Sequence, residues 1–398
     1  AGRVDTSAVG HTVDPREEFK QIFRDAWRYN RDQFYDKDML GLDWKAIGKK
    51  YEAMLPYAGD RSDLDYILGQ LIGELGTGHA YNTPAPAGSD PMSQPAGFLG
   101  ADLVNEGGKV KMSKIYRGPS YLPTGRGPLG ALGVNVKDGE FILAINGQPV
   151  TAETGVTPHL IGKINKRVTL TVNDKPTMDG ARTVNVVPTA NESQLRYQTW
   201  VDERRNLVHK LSDGKIGYMH VPDTSVMGII MFVRGFYSEQ DKQAWVIDER
   251  YNGGGFIPTF FIEYLQREAN NTFGPRHGAN VNLPSALNGP KAMLINEHAG
   301  SGGDLLPYLF KKSGLGPLIG TRTWGGLVGI QGTYGLLGGS GVTAPGFGIY
   351  DPQTGKWIAE NTGVDPDIFV DDTPEVAAKG QDVQLERAVE YLKGELKK

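Results

Sequence analysis

Apolar side chains recur at helical spacing in the first eighty residues. Asp14 and Pro15 offer a cap and a proline at the first helical position, and apolar residues then return every three or four positions. Asp43 is placed to cap a second helix, which runs through Leu55. A third helix is predicted after Ser62, where one apolar stripe contains Leu64, Ile67, Leu68, Leu71, Ile72 and Leu75. These patterns predict a helical segment at the start of the chain.

The pattern changes to short strands beyond a stretch rich in Pro, Ala, Gly and Ser. Asn146-Gly147 is a strong hairpin signal, and residues 157–164 fit one short helix. Alternating or β-branched residues predict strands at 109–115, 140–145, 167–172 and 183–187. A β-rich module of this size with one or two helices fits a small, partly open barrel.

After Pro188, apolar runs typical of strands alternate with helical patterns. Strands are predicted at 216–221, 244–248 and 292–295, and helices at 257–267 and 305–312. The tail from Asp382 to Lys398 again carries apolar residues at helical spacing. This alternation predicts an α/β layer architecture.

The whole chain is therefore predicted to be a multidomain α+β protein. An N-terminal extension at 1–13 precedes a helical domain at 14–84 and a linker at 85–96. A β-rich domain occupies 97–188, and an α/β domain occupies 189–398. The length of 398 residues suits two or three domains, each with its own core.

Composition narrows the possible functions. The 42 basic and 46 acidic residues leave a formal charge of −4 without a sustained basic run, which makes nucleic acid an unfavoured partner. No apolar stretch approaches the roughly 18 residues of a membrane span. The chain contains no cysteine, which excludes disulfides, thiolate metal sites and a cysteine nucleophile. Many of its 54 glycines cluster in turns around 253–255, 300–303 and 325–341, where the backbone bends tightly or approaches a ligand.

The turn from Asn296 to Asp304 is the first candidate for chemistry. It contains Ala299-Gly300-Ser301-Gly302-Gly303, between a predicted strand and a predicted helix. A serine on such a turn has an exposed hydroxyl and backbone N–H groups directed at its target. On its own the sequence is also typical of a plain loop, so Ser301 needs partners.

A serine nucleophile needs a base that removes its proton. His298 lies only three residues from Ser301, on the incoming turn, and His220 falls inside a predicted strand. His79 directly follows a helix stop and has small neighbours that leave its ring accessible. The sequence alone leaves the choice open, since a lone histidine is more often a surface or core residue.

A second glycine turn, Gly253-Gly254-Gly255, follows the predicted strand that ends at Asp248. Its N–H groups can face a ligand at the carboxyl end of that strand, although the same turn also serves as a plain connection. No phosphate-binding loop or H-E-x-x-H motif is present, and the histidines are scattered, so we predict no metal and no cofactor.

Five segments together resemble the carboxyl-terminal half of the tricorn protease family, within the superfamily of tail-specific, carboxyl-terminal processing serine peptidases. The resemblance extends from about Val13 to the end of the chain. The matching segments, in order and spacing, are residues 76–81, 248–256, 296–304, 320–326 and 360–367.

The resemblance implies a helical domain, a PDZ-like β-barrel domain and a ClpP/crotonase-like α/β catalytic domain of a serine peptidase. Ser301 matches the family's nucleophile, His79 its general base and Glu360 the carboxylate that completes the set. Gly254 and Gly302 match the donors of the oxyanion hole.

Two positions depart from the tricorn pattern. Tricorn has a serine before its histidine, which links the histidine to the glutamate, whereas this chain has Gly78. We expect direct contact between Glu360 and His79, a bridging water, or reduced activity. Where tricorn has an aspartate that favours basic residues before the scissile bond, this chain has Phe273, which predicts an apolar or aromatic preference there. Gly253 is a further predicted substrate-binding residue.

Two alternative functions are compatible with parts of the sequence. A Ser-Lys dyad is disfavoured, because Gly326 stands where carboxyl-terminal processing proteases have the lysine. A different class of function is a peptide-binding scaffold with little or no proteolysis, in which the loop Gly97-Phe98-Leu99-Gly100 receives a peptide carboxylate. Phe98 and Leu99 are accordingly predicted binding residues, although a buried strand-entry turn explains the loop equally well.

Partners and compartment follow from the resemblance only. We expect peptides or unfolded proteins as substrates and a homo-oligomer, a trimer or hexamer. Residues 1–13 lack the charged-then-apolar order of a signal peptide. The resemblance favours the cytoplasm, whereas a processed start that conceals a signal peptide would place the chain in the periplasm or another extracytoplasmic space.

Overall fold

The computed structural model describes residues 10, 12–86, 94–119 and 125–398. The chain divides into two units, one combining residues up to 87 with residues 208–398, and one formed by residues 88–207. The helical segment and the α/β segment therefore share one unit. Most of the predicted extension at 1–13 and of the predicted linker at 85–96 lies outside the described residues.

The α-helices of the described residues are numbered in chain order. They are α1 (Pro15–Gln33), α2 (Trp44–Glu52), α3 (Arg61–Gly73), α4 (Thr157–Leu160), α5 (Ser193–Leu211), α6 (Val226–Ser238), α7 (Pro258–Leu265), α8 (Gly302–Lys312), α9 (Pro374–Ala378) and α10 (Val383–Glu395).

The strands are numbered in the same way. They are β1 (Asn82–Thr83), β2 (Ala101–Glu106), β3 (Lys109–Ile115), β4 (Phe141–Ile145), β5 (Gln148–Pro149), β6 (Val168–Asn173), β7 (Arg182–Val186), β8 (Ile216–His220), β9 (Ala244–Asp248), β10 (Asn271–Phe273), β11 (Val281–Leu283), β12 (Lys291–Ile295), β13 (Leu318–Gly320), β14 (Gly329–Gly335), β15 (Gly341–Phe347) and β16 (Ile368–Phe369).

Helices α1 to α3 pack around one apolar core. The predicted caps Asp14 and Asp43 accept backbone N–H bonds at the starts of α1 and α2. Helix α3 begins at Arg61, whereas the helix was predicted to follow Ser62. The earlier start is explained by the Asp60 side chain, which accepts the N–H groups of Ser62 and Asp63. The stripe from Leu64 to Leu75 is buried, as its spacing predicts.

A five-stranded parallel sheet forms the centre of the same unit, in the order β16-β13-β12-β9-β8. All residues of β8, β9 and β12 are buried, which explains their mostly apolar sequences. Because β9 and β12 are parallel neighbours, the loops that follow them emerge at the same edge of the sheet. These loops contain Gly253–Gly255 and Ser301.

A second, antiparallel sheet joins the N-terminal segment to the rest of this unit. Strand β15 pairs with β14 on one side and with β1 on the other. In the β1 pairing, Asn82 faces Val342 and Thr83 faces Gly341. This pairing fixes the chain just after His79 at the edge of the site.

The unit of residues 88–207 contains an antiparallel sheet in the order β2-β3-β4-β6-β7, with β5 pairing to β4. The predicted hairpin turn is present, since Asn146 and Gly147 both have positive φ, 50° and 77°. A separate apolar core, including Met112, Ile142 and Leu170, lies under this sheet.

Candidate active site

Ser301 occupies a sharp turn between β12 and α8. Its φ is 59° and its ψ −117°, a backbone conformation that L-residues with side chains rarely adopt. The Ser301 N–H donates to Asp304 Oδ2 over 2.9 Å, three residues into the helix. Strain of this kind persists only where surrounding contacts hold it, and functional sites are where it concentrates.

Asp304 stabilises the turn from below. Besides the Ser301 N–H, its carboxylate accepts the Thr323 hydroxyl at 2.5 Å and the N–H groups of Gly325 at 2.8 Å and Gly326 at 3.1 Å. Burial raises the pKa of Asp304, while these hydrogen bonds act in the opposite direction. The carboxylate thus connects the serine turn to the loop after β13.

A second carboxyl group lies near this network. Glu249 is fully buried, and neither of its carboxyl oxygens has a hydrogen-bond partner among the described residues. Burial, and then the charge of Asp304, raise the pKa of Glu249 well above its ordinary value. The protonated, neutral form of Glu249 is therefore favoured beside Asp304.

The glycine turn after β9 lies directly against Ser301. A Cβ placed on Gly254, whose φ is 83°, would be 2.6 Å from Ser301 Cβ, so only glycine fits there. The Gly254 N–H donates to Asn252 Oδ1 at 2.8 Å, and the Gly253 N–H donates to the Pro222 carbonyl at 2.9 Å. Gly302 is packed equally closely, since a Cβ there would overlap the side chain of Thr224.

His79 belongs to the N-terminal segment of the same unit. Its carbonyl accepts the Thr343 hydroxyl at 2.6 Å, and the same hydroxyl accepts the Tyr81 N–H at 2.8 Å. Thr343 lies in β15, so this strand positions the histidine segment. His79 itself has a φ of 59°. His79 and Ser301 thus both have a positive φ, which is unusual for residues other than glycine.

Glu360 lies beside His79 without bonding to it. One carboxylate oxygen accepts the Gly78 N–H at 2.8 Å, and the other accepts the N–H groups of Leu327 at 2.6 Å and Val328 at 2.7 Å. His79 Nδ1 is buried and has no hydrogen-bond partner among the described residues. Direct hydrogen bonding of Glu360 to His79, one of the three expectations, is therefore not what this structure contains.

Burial lowers the pKa of His79 from its ordinary value, and the negative charge of Glu360 partly opposes that shift. The neutral imidazole is consequently favoured near neutral pH, which is the form that can accept a proton. The ring of Trp324 lies 5.7 Å from the His79 ring, centre to centre. The same indole packs against Gly300, where a Cβ would be 2.6 Å from it.

Trp324 therefore lies in contact with both the histidine and the serine turn. No hydrogen bond joins the Ser301 hydroxyl to the His79 ring within the described part of the chain. In structures without substrate, catalytic hydrogen bonds are often long and shorten when substrate binds.

Three family models match the chain in sequence. Residues 15–73 match the tricorn protease C1 domain, 97–191 the tricorn protease PDZ domain, and 215–370 peptidase family S41. In fold, the chain superposes on the crystal structure of the tricorn protease with a TM-score of 0.92 and 31% identity, over 99% of this chain and 38% of that one.

The chain belongs to the tricorn-like serine peptidases of family S41. It is 38% identical to tricorn protease homolog 1 of Streptomyces coelicolor, over 97% of this chain and 36% of the relative. It is 31% identical to the tricorn protease of Thermoplasma volcanium, over 99% of this chain and 38% of the relative. The chain thus spans less than half the length of the curated relatives it matches.

Other predicted site residues of this tricorn-like peptidase lie elsewhere. His298 stacks on Tyr251, with ring centres 5.4 Å apart, and lies 3.5 Å from the Glu297 carboxylate. Phe273 is exposed on the β10-β11 hairpin, and within the described residues it makes no hydrogen bond or ring contact to Ser301 or His79. The structure brings together His79, Glu360, Gly254, Gly302 and Ser301.

The predicted carboxylate-binding loop lies in the unit of residues 88–207. Phe98 is exposed and Leu99 is buried. The Gly100 N–H donates to Glu192 Oε2 at 2.9 Å, and the guanidinium of Arg196 binds the other oxygen of Glu192. A carboxylate of the chain itself therefore occupies one donor of the loop.

Three site residues were missed by sequence reasoning. Asp304 had a usable signal, because serine followed three positions later by an acidic residue is a capping pattern. Trp324 falls within a matched segment, but nothing in its spacing indicates contact with His79. Thr343 has no local signal, since its role depends on the pairing of β15 with β1.

Within the described residues, no helix is long and apolar enough to span a membrane, and no group of three or more His, Asp or Glu is arranged for a metal ion.

Proposed function

We propose that this tricorn-like peptidase cleaves peptide bonds through an acyl-enzyme on Ser301, with His79 as the general base. The observation that carries the proposal is the position of Ser301, which has a positive φ and packs against Gly254. The Trp324 indole contacts both the turn of Ser301 and the ring of His79. A partly exposed serine at the start of a helix, with a neutral base nearby to take its proton, is what acyl transfer requires.

His79 would use Nε2 for proton transfer, because Nδ1 is the buried nitrogen. Nε2 takes the Ser301 proton as the hydroxyl oxygen attacks the carbonyl carbon, and it returns that proton to the leaving amine. The negative charge of Glu360, held by three backbone N–H groups, stabilises the imidazolium that forms between these steps. Water then hydrolyses the ester and regenerates Ser301.

The oxyanion would be held by the N–H groups of Gly302 and Gly254. The Gly302 N–H is at the first turn of α8 and has no acceptor among the described residues, which suits an oxyanion donor. The Gly254 N–H is shared with Asn252 Oδ1 in this structure. We expect the oxyanion to compete with Asn252 for this donor as the tetrahedral intermediate forms.

Substitution of Ser301 tests the mechanism. We expect Ser301→Ala to abolish turnover of fluorogenic peptides. It should also abolish the covalent labelling by a fluorophosphonate that Ser301 undergoes in the wild type. Equal turnover by wild type and Ser301→Ala would reject the serine mechanism. His79→Gln is the companion variant, and it should retain the fold while losing most of the labelling rate.

Before the scissile bond, the proposal includes an apolar or aromatic preference through Phe273. Its support is the exposed ring, which offers no charge to pair with a cation. Phe273→Asp should then shift the preference toward basic residues, measured as the ratio of kcat/KM for paired peptides. An unchanged ratio would remove Phe273 from the specificity pocket, which its position on the hairpin makes a sharp test.

Peptides or unfolded segments are the proposed substrates, and a trimer or hexamer is the proposed assembly by resemblance to the tricorn family. Light scattering on a sizing column measures the assembly directly. A single species at the chain mass of 43.3 kDa would contradict it.

A further inference from the structure

Trp324 is a half-exposed aromatic ring in contact with the proposed base. Its side chain is 49% exposed, although it lies in an otherwise buried segment. Its ring meets the His79 ring at 60°, an edge-to-face arrangement. Large apolar surface left open beside a catalytic group is available to substrate.

The orientation of this ring is fixed by its neighbours. The backbone N–H of Trp324 donates to the Ala299 carbonyl at 2.9 Å, which connects the Trp324 backbone to the serine turn. Gly300 and Gly326 lie against the indole, and a Cβ on either would overlap it, at 2.6 Å and 2.2 Å. Both glycines thus create the space in which the indole sits, so the ring is preorganised.

The position beside His79 defines the side of the substrate that Trp324 meets. In acyl transfer the base that takes the serine proton gives it to the leaving amine, so the leaving group lies next to that base. The oxyanion donors Gly254 and Gly302 lie at the turn after β9 and at the start of α8, whereas Trp324 packs on Gly300, before the serine. The exposed indole is therefore on the leaving-group side.

We propose that Trp324 forms the wall of the subsite that receives the residue after the scissile bond, and that this subsite selects apolar and aromatic side chains. Tyr81, whose half-exposed ring lies 6.0 Å from His79, is the second aromatic side chain near the base. The inference rests on the proposed acyl-enzyme mechanism. It concerns a different subsite from Phe273, which was assigned to the residue before the bond.

Acyl transfer to added amines isolates this subsite. N-acetyl-phenylalanine methyl ester acylates Ser301 and releases methanol. The acyl-enzyme then reacts with water or with an added amino-acid amide. In the second reaction the amine nitrogen attacks the ester carbonyl, the bond to Ser301 Oγ breaks, and the amine proton returns to Ser301 through His79. The acceptor occupies only the leaving-group side, so product ratios report that subsite alone.

In the wild type, phenylalanine amide should be a better acceptor than glycine amide by at least about tenfold, the scale of one apolar side chain in a pocket. Trp324→Ala should reduce this ratio to about twofold or less, and Trp324→Phe should retain an intermediate ratio. Tyr251→Ala is the matched control, because Tyr251 is also exposed and aromatic but stacks on His298. It should leave the ratio unchanged.

The outcomes separate the two proposals. If the wild type releases methanol and forms both products without preferring phenylalanine amide, the subsite proposal is overturned while the mechanism stands. The same holds if Trp324→Ala keeps the wild-type ratio. If the wild type neither forms an acyl-enzyme with esters nor is labelled by fluorophosphonates, the proposed function itself fails. Fluorophosphonate labelling of Trp324→Ala shows that the variant is folded, so a lost preference is not a lost site.

Discussion

At the scale of single residues, the relation between Glu360 and His79 differs from a hydrogen-bonded chain of side chains. Glu360 is held by three backbone N–H groups and acts on His79 through its charge. Burial lowers the His79 pKa, and Glu360 raises it. In the proposed mechanism, the charge of this carboxylate therefore shifts the pH range in which His79 acts as a base, in addition to stabilising the imidazolium.

Glu360→Gln should consequently change the pH profile in a defined direction. Loss of the negative charge lowers the His79 pKa further, so the acid limb of kcat/KM should move to lower pH. The plateau should fall by at least about tenfold, because the imidazolium formed during attack is less stabilised. Rates on a peptide substrate between pH 4 and 8 measure both effects. An acid limb that moves to higher pH would refute the electrostatic role.

Gly78 offers a second test of the same site. A Cβ at this position would lie 2.8 Å from Gly326 Cα and 3.5 Å from Glu360 Oε1. Gly78→Ala should therefore displace backbone near His79 and lower kcat by about tenfold or more. Gly78→Ser has the same steric cost but adds a hydroxyl beside Glu360, and we expect it to be several-fold more active than Gly78→Ala. Equal activity of the two variants would show that no bridging hydroxyl is useful there.

Residue identities in the site were largely predictable, whereas their contacts were not. Ser301, His79 and Glu360 lie in short segments that match a family, and the structure brings all three to one place. The position of Glu360 depends on three backbone N–H groups, those of Gly78, Leu327 and Val328, which come from distant segments. Spacing along a sequence carries no signal for such contacts.

At the scale of elements, periodicity predicted the N-terminal helices and the buried strands of the parallel sheet. Strand β3 and strand β9 have the predicted bounds, and α8 begins three residues before its predicted start because Asp304 accepts the Ser301 N–H. Helices α5 and α6 were not predicted. Strands β14 and β15 were missed as well, since their many glycines weaken the alternation that identifies strands.

The loop before β2 is predicted to be blocked for peptide carboxylates. Glu192 Oε2 already accepts the Gly100 N–H, and Arg196 neutralises the Glu192 charge. We expect the wild-type chain to bind a fluorescein-labelled peptide with a free carboxyl terminus no better than its amidated form. Glu192→Ala should create a preference for the free carboxylate, because it frees the Gly100 N–H and leaves Arg196 with one carboxylate partner, Asp102, in place of two.

Fluorescence anisotropy of the paired peptides measures this preference. Glu192→Gln is the control, since its amide oxygen can still accept the Gly100 N–H and keep the loop occupied. A clear preference for the free carboxylate in the wild type would contradict the block and would favour the peptide-binding scaffold again.

At the scale of the whole molecule, residues far apart in sequence build one site. His79 precedes the unit of residues 88–207 and Ser301 follows it, yet both belong to the same unit of the structure. The pairing of β1 with β15 contributes to this through two residue pairs and the Thr343 hydroxyl, and the Gly78 N–H adds a bond to Glu360. Such long-range pairing leaves no pattern in local sequence, which is why the family resemblance was needed to connect His79 with Ser301.

The buried ion cluster around Arg250 links the sheet to the C-terminal helix. The Arg250 guanidinium donates to Asp248 at 2.7 Å and to Asp382, the cap of α10, at 2.9 Å. It also donates to Asp372 at 3.1 Å. Arg250→Met removes the cation and leaves the fully buried Asp248 without it, so we expect a loss of about 3–5 kcal/mol in the free energy of unfolding.

The pH dependence identifies the cause of this loss. Arg250 holds the pKa of buried Asp248 below its ordinary value, so this stabilisation is present above the unfolded pKa and is lost as pH falls through the folded pKa. Without Arg250, burial raises the pKa of Asp248, and protonation at lower pH relieves the unpaired charge. The difference in urea midpoint between wild type and Arg250→Met should therefore narrow from pH 7 toward pH 4.

Arg322→Met is the control, because Arg322 pairs with Asp365 at the exposed surface and should leave the midpoint nearly unchanged at every pH. A constant difference for Arg250→Met would instead indicate lost packing, and the ion cluster would then not be what ties α10 to the catalytic sheet.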